Sequence, residues 1–158
     1  METFMTKKVI GAVIGTVLTS DMSRKAIVDT LSKTFALLQM VFAQTEQVDV
    51  QQKLKHLNIQ FNLELIEAVM NDIEKMEQLT DKASVAIALK HLHDIVSTIH
   101  KEIDGLNKKL QYHATKWFSS YRPHNCRSSL KRLAEYKVTL LESYHALTTI
   151  LQILQIYR

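Results

Sequence analysis

The sequence predicts an all-α protein: an antiparallel four-helix bundle of long helices, with a short apolar helix at its N-terminus. Three observations predict it. The chain is poor in turn formers, with three glycines (Gly11, Gly15, Gly105) and one proline (Pro123) in 158 residues, whereas a β-rich protein needs frequent Gly, Pro and Asn-Gly turns. Apolar residues make up 46% of it, enough for a continuous core and too many for a disordered chain. Those residues recur at three- and four-residue steps over long stretches, the spacing that gathers side chains on one helix face. A chain of this length fits one domain. It divides into a short apolar helix over 1–19 and a bundle over 21–157.

The elements follow in order. Thr19, Ser20 and Asp21 offer N-cap side chains to a helix over 22–43, whose Ile27, Leu31, Phe35, Leu38 and Phe42 share one face. Asp49 caps the next helix, which runs to about residue 78 with Leu54, Leu57, Phe61, Leu65, Ala68, Asp72 or Ile73, Met76 and Leu79 as its stripe. Thr80 and Asp81 cap a helix to residue 120. There Val85, Leu89, Leu92, Val96, Ile99, Ile103, Leu106, Leu110, His113 and Trp117 alternate four- and three-residue steps without a break, the repeat of a long bundle helix. Gly105 sits on the outer face of that helix. Pro123 marks a turn. A last helix over 128–156 carries Leu130, Leu133, Leu140, Leu141, Tyr144, Leu147, Ile150, Leu151 and Leu154. Short links make successive helices antiparallel.

Composition and motifs exclude several functions. Cys126 is the lone cysteine, so an internal disulfide and a Cys-x-x-Cys zinc site are excluded, and a reducing compartment fits. The apolar run over 9–18 is ten residues long, where a bilayer span needs about 20, and no small-residue cleavage site follows it. No P-loop, dinucleotide-binding turn, nucleophile elbow or His-Glu-x-x-His pair occurs. His91, His93, His100 and His113 crowd one helix, but His93 and His100 stand about 10 Å apart along its axis, too far for one ion. Cys126, close to Arg122 and Arg127 near a helix start, has features that lower a thiol pKa; a bystander thiol is the plainer reading. The expectation is a protein that is not an enzyme and needs neither cofactor nor metal.

Charge is distributed unevenly. Residues 47–81 carry three basic and seven acidic groups, and residues 82–132 carry ten basic and three acidic. Complementary packing of successive helices is the plain account; a basic surface for acidic lipid, nucleic acid or an acidic partner is the sharper one. The cations Lys108, Lys109, Lys116, Arg122, Arg127, Lys131 and Arg132 surround the Pro123 turn, with Tyr112, Trp117, Phe118 and Tyr121 among them. Such a cluster suits phosphate contact with base stacking, headgroup contact with interfacial aromatics, or a wet end to the core. Nucleic acid is the least favoured of the three. At the N-terminus, Val9, Gly11, Ile14, Gly15 and Leu18 form an apolar stretch with Gly-x-x-x-Gly spacing after Lys7 and Lys8. Such spacing lets helices approach closely, within the protein or in lipid.

The layout of a Gly-spaced apolar helix, a bundle, a Lys116-Trp117-Phe118 end, a turn, and a helix reading Leu130-Lys131-Arg132-Leu133, Tyr136, then Leu140-Leu141-Glu142-Ser143 resembles the HeLo and HeLo-like domains of fungal cell-death proteins. It is more distantly similar to the N-terminal bundle of mixed-lineage-kinase-domain-like protein and to plant resistance coiled-coil domains. Residues 110–145 carry the resemblance in detail. The resemblance implies a bundle that binds acidic membrane lipid, self-associates and permeabilises membranes in regulated cell death. Its place would be cytoplasmic, peripheral at the inner face of a membrane. The basic and aromatic end (Lys108, Lys109, Lys116, Trp117, Phe118, Arg122, Arg127, Lys131, Arg132) would meet headgroups, and Val9, Gly11, Ile14, Gly15 and Leu18 would insert or dock. The N-terminal run is shorter and richer in Val and Ile than that family's pattern. The alternative is a structural or adaptor bundle acting through helix–helix contact with a protein partner or with a second copy.

Overall fold

The computed structural model describes residues 2–44, 47–76, 78, 81–115 and 126–156, with the side chains of residues 2–19 and 156 outside the description. Among the described residues there are five helices: α1 (Glu2–Phe42), α2 (Val48–His56), α3 (Ile59–Glu74), α4 (Ala83–Ala114) and α5 (Cys126–Ile156). No strand occurs among the described residues, so the all-α expectation holds.

Several boundaries differ from the sequence reading. The short apolar helix and its successor are one helix, α1, of 41 residues. Thr19, Ser20 and Asp21 can cap a helix, but they do not oblige one to end. Continuing adds one hydrogen bond per residue, whereas a break leaves terminal carbonyls and N–H groups to be satisfied elsewhere. Asp21 lies inside the helix and pairs with Lys25, one turn on, at 3.1 Å. The segment read as a single third helix is broken instead at Leu57 and Asn58. Asn58 takes the left-handed conformation (φ 53°, ψ 28°), which Asn tolerates better than most residues. Finally, α4 ends at Ala114 and α5 starts at Cys126, so the expected last turns of α4, including Trp117, lie outside the described residues.

The break before α3 changes which face is buried. Of the expected stripe, Phe61, Leu65, Ala68 and Asp72 are exposed, and Ile73, the alternative to Asp72, is buried. The core side is Ile59, Leu63, Ile66, Met70 and Ile73, all buried. These five also follow four- and three-residue steps, so α3 carries two apolar stripes, and the kink at Asn58 turns the second inward. Elsewhere the expected faces hold. Every described apolar position of the α4 stripe, from Val85 to Leu110, is buried. In α1, Ile27, Leu31 and Leu38 are buried with Phe35 and Phe42 packed at the margin, and α5 contributes Leu130, Leu133, Leu140, Leu147 and Leu151.

Contacts set the chain directions. The most extensive interface joins α1 to α4. There Thr34 meets His100 and Gln44 meets Asn107, so these two helices run the same way. Lys109 meets Ser129 and Arg132 meets Glu102, so α4 and α5 run oppositely. Arg24 near the middle of α1 reaches Glu74 at the end of α3, whereas Leu38 and Phe42 line a pocket with Ile59 at its start, so α1 and α3 are also opposed.

The α1–α4 seam carries defined polar contacts. The buried Thr34 hydroxyl donates to Thr30 O at 2.7 Å. The same hydroxyl lies 3.0 Å from His100 Nδ1 across the seam. One turn-set further on, Gln44 Nε2 donates to Oδ1 of the buried Asn107 at 3.0 Å. Paired polar groups inside an apolar seam set its register, since any slip would leave them unsatisfied.

Candidate functional site

Three features could serve a function: the expected basic end, the outer face of α3, and a furrow between α4 and α5. Of the expected lipid-contact residues, Lys116, Trp117, Phe118 and Arg122 lie outside the described residues. The other five are described, and three are occupied within the fold. Arg132 donates to Glu102 Oε1 through Nε at 3.1 Å and through Nη2 at 2.9 Å. Lys109 Nζ donates to the buried Ser129 hydroxyl at 3.2 Å. Lys108 pairs with Asp104 at 2.9 Å. Arg127 and Lys131, one turn apart on α5, are exposed. Two of the five, Lys109 and Arg132, therefore fasten α4 to α5, and Lys108 is paired within α4.

The Glu102 side chain is only 15% exposed. Burial pushes its carboxyl up, but hydrogen bonds from Arg132 and Ser129 and the charges of Arg132 and Lys109 outweigh that and hold it below the usual carboxylate range. A depressed folded-state pKa gives stability that is present above the unfolded value, about 4.3, and is lost as pH falls through the folded one. The melting temperature is therefore expected to fall between pH 5 and pH 3 by less in Glu102→Gln than in the parent. Parallel thermal scans over that range check this, and identical slopes would refute it.

The second expected set, Val9, Gly11, Ile14, Gly15 and Leu18, lies in the first turns of α1, with its side chains outside the description. It is not a separate helix. Among the described residues no helix is long and apolar enough to cross a membrane.

The remaining chemistry-bearing residues are placed as structural groups. Cys126 is 2% exposed, and burial pushes its thiol up, against a smaller opposing effect of Lys109. The sequence features that lower a thiol pKa are thus overridden by desolvation. His93 Nε2 contacts Ser97 at 3.3 Å on its own helix, whereas His100 faces α1. No group of three or more metal-ligating side chains gathers among the described residues.

Sequence reading missed the outer face of α3 as a surface. Phe61 is 58% and Leu65 37% exposed, and Ala68 continues their line. Glu64 flanks it, hydrogen-bonded by Gln60 at 3.1 Å. The helix carries Glu64, Glu67, Asp72 and Glu74 and no lysine or arginine. The signal was present: the stripe through Ile59 and Ile73 is apolar at all five positions, whereas the stripe through Phe61 ends on Asp72. The furrow lies where α4 and α5 face each other with small side chains. Its volume is about 490 Å³, and Ile87, Ala88, Ala146 and Ile150 supply its apolar lining with Glu142 and His91 at polar positions.

No protein-family model and no solved structure matches the chain. The chain is similar to an uncharacterized protein of Acanthamoeba polyphaga mimivirus, 25% identical over 130 residues, which covers 66% of this chain and 63% of that relative. The match thus spans under two thirds of the relative's own length.

Proposed function

We propose that the chain is a non-enzymatic interaction module, an antiparallel four-legged helical scaffold that works through helix–helix contact with protein. In this arrangement α1, the α2–α3 pair, α4 and α5 are the legs, with α2 and α3 sharing one. The carrying observation is α3. Its inner stripe already completes the core, so Phe61 and Leu65 remain exposed at core-like spacing on a helix that is apolar on two sides. A helix apolar on two faces is suited to packing against two neighbours, and the chain supplies one of them. A contiguous exposed apolar line rimmed by charge marks an interaction surface.

The test is Phe61→Ser. If the stripe is held for a partner, this variant keeps the parent's helicity and its stability within about 0.5 kcal/mol, as for surface positions. A loss as large as a core truncation would make Phe61 part of the fold and remove the reading.

A second reading, peripheral binding to acidic lipid as the HeLo-like resemblance implies, is favoured by the exposed pair Arg127 and Lys131. Each cation near an anionic surface contributes about 1 kcal/mol and fades with salt. Equal recovery with neutral and acidic vesicles at low salt would leave the protein-interaction reading alone.

A further inference from the structure

The acidic and basic halves of the sequence do not neutralise each other inside the fold. The main neighbours of α3 are α1, α2 and α5. Among the described residues only Arg24 pairs with an α3 carboxylate, Glu74, at 3.9 Å, and no ion pair joins α3 to α4. Glu64 and Asp72 on α3, and Lys101 and Lys108 on α4, therefore face outward. On α4 the outward line is Lys101, Gly105, Lys108 and Tyr112, with both lysines exposed and Tyr112 55% exposed.

Gly105 is the informative member of that line. A Cβ built there meets nothing within 4 Å among the described residues, so no contact among them requires glycine. A glycine inside a helix weakens it relative to alanine. A helix brought up from outside could use the missing side chain, because its backbone could approach closely there.

The two outward lines have the same spacing. Phe61, Leu65, Ala68 and Asp72 on α3 step by four, three and four, as do Lys101, Gly105, Lys108 and Tyr112 on α4. Laid antiparallel, they set Phe61 against Tyr112, Leu65 along the methylenes of Lys108, Ala68 against Gly105, and Asp72 against Lys101. Aromatic meets aromatic, the two smallest residues meet where backbones must approach, and opposite charges meet at the end. Glu64 comes within reach of Lys108, which can leave its exposed pairing with Asp104. The parallel alternative sets Phe61 on a lysine and Asp72 on a tyrosine and pairs no charges.

The geometry points to self-association in which the outer face of α3 on one copy docks against the Lys101–Gly105–Lys108–Tyr112 face of α4 on a second copy. This rests on the interaction-module reading and names its partner. Apolar and aromatic contacts at the centre supply affinity, and the flanking charges supply orientation and salt sensitivity.

The experiment is sedimentation of the full chain over a concentration series at low and high salt. The parent is expected to associate, and more weakly at high salt. Phe61→Ser with Asp72→Lys on α3, and separately Lys101→Glu with Lys108→Glu on α4, are each expected to weaken association by about tenfold or more. An equimolar mixture of the two variants should associate better than either alone, because each supplies the face the other lacks. Gly105→Ala should raise the melting temperature while weakening association, a combination that a merely tolerated glycine cannot give. A monomeric parent, or association unchanged in these variants, overturns the inference. If the parent is monomeric while Phe61→Ser melts like it, only the second-copy partner is lost; if Phe61→Ser is badly destabilised, the interaction-module reading itself falls. A monomer that binds a lysine-flanked amphipathic peptide through Phe61 assigns the stripe to a foreign helix and likewise overturns the second copy.

Discussion

Leu63→Ala is expected to cost about 2–5 kcal/mol of stability, the range for truncating a buried leucine, whereas Leu65→Ala is expected to cost under about 1 kcal/mol. The two residues have the same side chain, the same helix and nearly the same place along it. They differ in what surrounds them: Leu63 is 0% exposed within the core, and Leu65 is 37% exposed on the outer face. Truncating Leu63 removes a side chain whose transfer from water favours folding and leaves a cavity that the rigid neighbours close only partly. Truncating Leu65 shortens a side chain already in partial contact with water, and alanine offsets some of the loss through its higher helix propensity. Denaturant unfolding at constant slope measures both. Equal costs for the two would mean that α3 buries both stripes, and the outer face would no longer be a surface.

Gln51→Leu is expected to destabilise the fold by about 1–3 kcal/mol, the cost of leaving buried polar groups unpaired. The last carbonyls of a helix have no partner within it. At the end of α1, the half-buried side chain of Gln51, from α2, donates through Nε2 to Phe42 O at 3.1 Å, and also to Val41 O at 3.2 Å and to Gln44 O in the link, two carbonyls that accept from the backbone N–H of Gln44 and Gln47 as well. One amide group, with two protons shared among three acceptors, thus closes the end of a 41-residue helix and ties α2 across the link. Leucine fills the space and donates nothing. Gln51→Glu should cost at least as much at neutral pH, because a carboxylate only accepts and would face carbonyl oxygens at the negative end of the helix dipole. Midpoints within about 0.5 kcal/mol of the parent for both variants, the scatter of ordinary surface changes, would show that water serves those carbonyls equally well.

How far the sequence could be read depended on how local each cause was. The α4 stripe was readable because ten positions repeat without interruption, and the described apolar ones are all buried. In α3 two stripes two residues apart compete, and a reading that carried the α2 register through Asn58 chose the outer one. The left-handed turn at Asn58 was the deciding event, and asparagine in a helical pattern is only a weak signal of it. The basic end looked like a free surface because charges were counted along the chain. Arg132 is instead occupied by Glu102, thirty residues away in sequence. Two short antiparallel links already imply that α1 and α4 run the same way, but link lengths do not say which helices touch, and the α1–α4 interface is the most extensive.

By itself, then, the sequence determined that the chain is helical, roughly where its helices lie, and which residues share a face. Helix formation and the 3.6-residue period are local, written in residue type and spacing. Tertiary structure alone decided which stripe of α3 turns inward, which cations are consumed within the fold, and that Cys126 is sealed from water. Burial and electrostatic pairing depend on distances between residues remote in sequence, and periodicity carries no information about which face will meet a neighbour.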